Sequence, residues 1–253
     1  MTRAHALAAF ACLAVLSACH RPDTDKSASH GAQPDTRAAV AETLSPEQLT
    51  ALAFRAAWGS APPATHETPS ADGDPVEIVY ASARLVPMGG DRFALVSDGK
   101  GGDAHVDGGA LAIHYLKRTA TGFDRIGSWP EFVFDGTFGA PPDWAVRTDL
   151  TDAPALLTKA GGTWQGYTCE WSSLIELTPD KPVMRSDDIP VGYDSSGASE
   201  DGKSGETLEG TITPGTKGRS FVVNYGGART ASVTYALAGD AYTATSDPDL
   251  PAC

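Results

Sequence analysis

From Val76 onward the chain is a succession of short apolar and β-branched runs, each bounded by Gly, Pro, Asp or Ser, and that texture admits few folds. Several runs alternate with a period of two. Phe221, Val223 and Tyr225 fall on one face of an extended segment, and Ala231, Val233, Tyr235 and Leu237 do the same in a later one. No helix-period segment of useful length interrupts them. Strands are predicted over 76–86, 92–97, 110–117, 123–129, 144–148, 163–170, 172–178 and 183–189, then 207–213, 219–225, 230–237 and 242–245. The Gly226-Gly227 pair between Tyr225 and Ala228 reads as a tight hairpin turn. The expectation is a mainly β domain, an antiparallel sandwich or curled sheet of about 10–12 short strands with one short N-terminal helix. A propeller would need a repeat, and the echo of Gly127-Ser128-Trp129 in Gly162-Thr163-Trp164 is too little to supply one.

The helix is announced by its cap. Ser45 stands before Pro46 and three residues before Gln48, the spacing of a capping box, with Leu44 and Leu49 placed as a hydrophobic staple. Leu49, Leu52, Ala53 and Ala56 share a face, and Gly59 with Pro62 and Pro63 ends the run, so a helix is predicted over about 45–58. So short a helix is marginal alone and is expected to dock on the main domain. Residues 60–75, rich in Pro, Ala, Thr and Asp, read as a linker to a single β-rich domain spanning 76–253.

Charge narrows the partners. With 19 basic against 32 acidic residues the formal net charge is −13. Nucleic acid, whose phosphates require Lys/Arg clusters, is excluded as an expected partner, and so is peripheral binding to anionic lipid. A basic protein partner, or plain solubility, fits this balance.

The amino terminus has the three parts of an export signal: Arg3, the apolar run 6–15, and the small residues leading to a cysteine in Leu16-Ser17-Ala18-Cys19. A membrane span needs about 20 apolar residues, and His20-Arg21-Pro22-Asp23 ends this run too early. The tetrad resembles the lipobox of bacterial lipoproteins. The resemblance covers the export signal only. It implies a signal peptide over 1–18, acylation of Cys19 (palmitate among the chains) and a membrane attachment through lipid. In that class an Asp after the cysteine favours the inner membrane. His20 stands there, which points to the outer membrane with the domain facing the periplasm. Residues 19–43, without hydrophobic period, then read as a lipidated flexible tether.

That assignment consumes Cys12 and Cys19. Two cysteines remain, Cys169 and Cys253, in a compartment that oxidises thiols, and one disulfide between them is expected. It would close a loop of about 85 residues and stabilise by about 4–5 kcal/mol on the chain-entropy estimate. Zinc ligation would need further thiols or imidazoles at close spacing.

Three segments are candidates for chemistry. In 97–109, Asp98, Asp103 and Asp107 with His105 and several glycines could wrap Ca2+, although their spacing lacks the closing Glu of a calcium loop and a solvated hairpin loop is the first reading. His105 and Asp107 are also the catalytic alternative, since two residues apart they share a strand face, but no Gly-x-Ser-x-Gly elbow accompanies them. His114, inside an apolar run, reads as packed. In 193–206, a long acidic Gly/Ser-rich insertion carries Asp194, Glu200, Asp201 and Glu206, read first as a disordered loop and second as the residues that meet a basic partner. Trp129, Phe132, Phe134, Phe138 and Trp144 form an aromatic group read first as core and second as a grip on a sugar or peptide.

The functional expectation is a non-enzymatic envelope lipoprotein that binds another protein. As a class it resembles the lipoprotein inhibitors and immunity proteins that protect the envelope from toxic hydrolases. The alternative is a periplasmic hydrolase or Ca2+-binding enzyme centred on 98–107, and no cofactor is required by the first reading.

Overall fold

A computed structural model describes residues 44–69, 75–199, 204–246 and 250–251. The predicted signal, Cys19 and the predicted tether lie outside the described residues.

Helix α1 (Pro46–Trp58) begins as its sequence requires. The Ser45 hydroxyl accepts from Gln48 N at 3.3 Å, and Gln48 Oε1 accepts from Ser45 N at 2.8 Å. Gly59, at φ +79, closes the helix with its N–H on Arg55 O. The deepest residues are Ala53, Phe54 and Ala57, so the docking face is centred slightly beyond the predicted stripe, with Leu49, Leu52 and Ala56 half-buried at its edge.

Thirteen antiparallel strands among the described residues form two sheets. The first follows chain order: β1 (Ala64–Thr68), β2 (Val76–Gly89), β3 (Arg92–Lys100), β4 (Gly109–Arg118) and β5 (Phe123–Asp135). The second is also a meander, running from β6 (Asp143–Arg147) through β7 (Ala155–Trp164), β8 (Tyr167–Leu177), β9 (Pro182–Asp194) and β10 (Thr207–Pro214) to β11 (Ser220–Gly227), β12 (Ala231–Ala238) and β13 (Ala241–Ala244). This is the mainly β, curled-sheet architecture that the alternating runs predict.

Strand β4 shows why the layers stack. It is buried along nearly its whole length, because its two faces serve different cores. Ala110, Ala112 and Leu116 face α1 together with Phe54, Ile78 and Tyr80. Leu111, Ile113 and Tyr115 face the second sheet and pack with Trp144, Leu156, Ile175 and Leu177. The other face of the second sheet curls over a third core of Leu174, Val191, Phe221, Val223, Tyr225, Val233 and Tyr235. Phe221 and Tyr235 stack there at 4.9 Å. Each such side chain contributes about 1.5–3 kcal/mol by burial.

Two boundaries differ from the sequence reading. Strand β1 lies inside the predicted 60–75 linker, where its polar residues Thr65, His66 and Glu67 hide an edge strand paired to β2. The predicted strand 163–170 is instead a hairpin. Gln165 (φ +53) and Gly166 (φ +86) form a turn with two positive φ values, and β7 and β8 fold back so that Trp164 pairs with Tyr167. At the β11–β12 connection both Gly226 and Gly227 are the end of β11, and the turn falls just after them.

Candidate functional site

One end of the sandwich collects the connections 101–108 (β3–β4), 136–142 (β5–β6) and 165–166 (β7–β8), with 195–199 of the β9–β10 connection. The first two are tied together by backbone. Gly101 N donates to Gly139 O at 2.9 Å, and Gly139 N donates to Asp107 O at 2.8 Å. Gly139 sits at φ +69, and a Cβ there would run into the backbone of Gly101 and Gly102, so only glycine fits this junction. Phe138, beside it, is held at φ +54, uncommon for a bulky residue, and is 56 % exposed.

The loop places His105 in an aromatic setting. Its ring meets Phe138 edge-on at 4.8 Å and Trp164 at 5.7 Å, and Trp164 stacks on Trp171 at 6.3 Å. Asp107 uses its carboxylate within its own loop, where Oδ2 accepts from Ala104 N at 2.7 Å. The hydrolytic pairing of His105 with Asp107 is not assembled.

The three carboxylates read as metal ligands are likewise divided. Asp98 Oδ1 accepts from Trp144 Nε1 at 2.7 Å and Oδ2 from Ser82 Oγ at 3.0 Å, a tie between the two sheets. Asp103 pairs with Lys100 at 2.7 Å on the surface, which holds its carboxyl below the usual range. Among the described residues no group of three or more His, Cys, Asp or Glu side chains is placed to hold a metal ion. The structure thus breaks up the set Asp98, Asp103 and Asp107, because two of the three have local partners and the third is taken by a tryptophan 46 residues away.

Next to these loops lies a cleft of about 500 Å3. One wall is His105, Phe138, Pro141 and Pro142, and the other is the outer part of β7 and β8, with Gly161, Gly162 and Thr168. Lys159 and Glu170 form an ion pair at 2.9 Å on its rim. A second tie between the sheets stands behind it, where Trp171 Nε1 donates to Asp135 Oδ2 at 2.6 Å. Asp188 is nearby, at φ +50, and burial pushes its carboxyl up, with Asp187 and Asp135 adding.

The aromatic group divides between roles. Trp144 is buried between the sheets and Trp129 and Phe132 pack against that core, whereas Phe134 and Phe138 are exposed at 45 and 56 %. Other large apolar residues are exposed as well: Val106 at 81 %, Trp164 at 44 % and Tyr167 at 43 %, and, on strands β5 and β6, Ile126 at 47 % and Val146 at 43 %. Val106, Phe134, Phe138, Trp164 and Tyr167 lie at the loop end.

The acidic insertion is partly bound into the fold. Asp194 Oδ1 accepts from Ser196 N at 2.8 Å, which opens a short 3-10 turn over Ser196–Ala198. Glu206 pairs with Arg229 at 2.6 Å. Glu200 and Asp201 lie outside the described residues. Cys169 is buried and disulfide-bonded, while Cys253 lies outside the described residues. His114 is fully packed on β4, edge-on to Trp58 at 4.6 Å, as its apolar surroundings predict. No described helix is long and apolar enough to cross a membrane. A comparison with known proteins finds no family model, curated protein or solved structure that matches the chain.

Proposed function

We propose that this chain is a non-enzymatic envelope lipoprotein that binds another protein on the periplasmic side through its loop end. The observation that carries this reading is the gathering of Val106, Phe134, Phe138, Trp164 and Tyr167 at one end of the sandwich, each more than 40 % exposed. Large apolar side chains grouped on a polar surface mark interaction sites, and aromatic residues are enriched at their centres. The net charge of −13 suits a basic partner. Inhibition of a toxic envelope hydrolase, in the manner of an immunity protein, is the specific role proposed.

Lipidation at Cys19 and outer-membrane attachment remain part of this proposal on the residues Leu16-Ser17-Ala18-Cys19. Cys253 is the proposed disulfide partner of Cys169. Leu250 and Pro251 line a small pocket with Tyr193, and Tyr193 is the cross-strand neighbour of Cys169. A linked 169–253 peptide in a non-reduced digest is the result expected.

Binding is tested with the full chain in detergent and periplasmic extract, followed by size exclusion of the purified pair. A stoichiometric complex with a basic protein is expected. Val106→Asp combined with Phe134→Ser should weaken it at least about thirtyfold. Absence of any such complex, together with turnover of wall or ester substrates by the chain itself, would overturn the reading.

A further inference from the structure

Strand β6 is shorter than its neighbour. It pairs with β7 from Arg147–Ala155 to Asp143–Lys159 and stops, whereas β7 continues to Trp164. Among the described residues, 160–164 therefore have β8 on one side and no strand on the other.

The direction of their backbone groups follows from two hydrogen bonds. Alternate residues of an antiparallel strand present N–H and C=O to opposite sides. Pro154 O accepts from Leu177 N at 2.9 Å, toward β8, so Ala155, Leu157 and Lys159 address β6. On β6 the carbonyl of Trp144 is met from outside by Arg84 at 3.0 Å, which sets the same alternation. Continued along β7, this turns the N–H and C=O groups of Gly161 and Thr163 toward the open side.

That side is the 500 Å3 cleft. Gly161 and Gly162 put no side chain into it, and Thr163 is exposed. The far wall, His105 and Phe138 with Pro141 and Pro142, is apolar and aromatic. Of the ionisable groups lining it, Lys159 is already balanced by Glu170. Asp143, exposed and directly across the strands from Lys159, adds a second carboxylate, so these three groups leave the lining with one negative charge in excess.

We infer that this cleft receives an extended, basic polypeptide segment, added to β7 as a strand in line with β6. The inference rests on the protein-binding reading and specifies how the partner is held. Main-chain hydrogen bonds to Gly161 and Thr163 supply affinity, and the aromatic wall with Asp143 supplies preference for alternating apolar and basic side chains. A glycan would find aromatic rings here too, but it lacks the two-residue repeat of paired N–H and C=O groups that Gly161 and Thr163 present.

The test uses random peptides displayed on phage, selected against the full chain in detergent, and then the selected sequence as a synthetic peptide. Peptides with Lys or Arg among alternating apolar residues are expected. Thr163→Pro removes one outward N–H and leaves the ladder to β8 intact, so it should weaken binding about tenfold. Thr163→Val, which keeps the backbone, should bind as the original does. On the unaltered chain, bound peptide should slow amide exchange at Gly161 and Thr163, a readout independent of how well the proline variant folds. Selection of no peptide, unchanged exchange at those two amides, or N-acetylglucosamine oligomers occupying the cleft instead would each overturn the inference. A partner complex that survives Thr163→Pro but is lost with Val106→Asp and Phe134→Ser would refute strand addition alone. Loss of neither would remove the protein-binding reading with it.

Discussion

Trp144→Ala should lower the free energy of unfolding by about 3–5 kcal/mol, read as a fall in the urea midpoint without a change in slope. The residue is 8 % exposed and sits where the two sheets meet, among Val96, Ile113, Leu156 and Ile175. Its removal leaves a cavity that the surrounding strands can only partly close. It also releases the Arg84 guanidinium, which lies 3.3 Å from the indole centroid, and deprives half-buried Asp98 of its Nε1 donor. Trp144→Phe separates these effects. The ring beneath Arg84 is kept and the hydrogen bond to Asp98 is lost, so about 1–3 kcal/mol is expected. A Trp144→Ala protein within about 0.5 kcal/mol of the original would contradict the stabilising role of the inter-sheet core.

Acid should weaken the fold through one histidine before the carboxylates take part. Burial lowers the pKa of His114 to about 4, and the nearby Arg125 charge adds to it. The ring is 1 % exposed, edge-on to Trp58, and its Nδ1 has no partner among the described residues. In the unfolded chain the imidazole titrates near the ordinary value of about 6.5. The unfolded state therefore binds the extra proton first. The stability contributed by neutral His114 is fully present above about pH 6.5 and is lost as pH falls toward 4, by about 3 kcal/mol. His114→Phe should flatten the stability profile across that window. The carboxyls held low by their partners, Asp149 by Arg147 and Glu206 by Arg229, lose their contributions only as pH falls through the carboxylate range. Thermal melts between pH 7 and 4 that are identical for the original and His114→Phe would refute this assignment.

The parts of the fold written in local periodicity are legible in the sequence. Ser45, Pro46 and Gln48 mark the helix start because capping needs only neighbours, and Phe221, Val223 and Tyr225 mark a half-buried strand for the same reason. What is not legible depends on backbone signs and on distance along the chain. Gln165-Gly166 has no proline or Asn-Gly signature, and strand-forming residues on both sides make a hairpin look like one strand. In β1, Thr65, His66 and Glu67 carry no apolar alternation, because an edge strand needs none. The site shows the same division. The 98–107 segment stands out in sequence as a cluster of acids with an imidazole, yet what its residues do is decided by Trp144, Phe138 and Trp164, which only the tertiary fold brings near. The exposed partners Trp164 and Tyr167 are hidden, in sequence, inside the strand predicted across the hairpin.

Hydrogen exchange of the full chain with and without its captured partner decides whether the loop end is the binding face. Slowed exchange is expected in 101–108, 136–142 and 161–167, with the turns 119–122 and 178–181 at the opposite end unchanged. Protection confined to those opposite turns or to the outer face of α1, with the loop end exchanging freely in the complex, would contradict it.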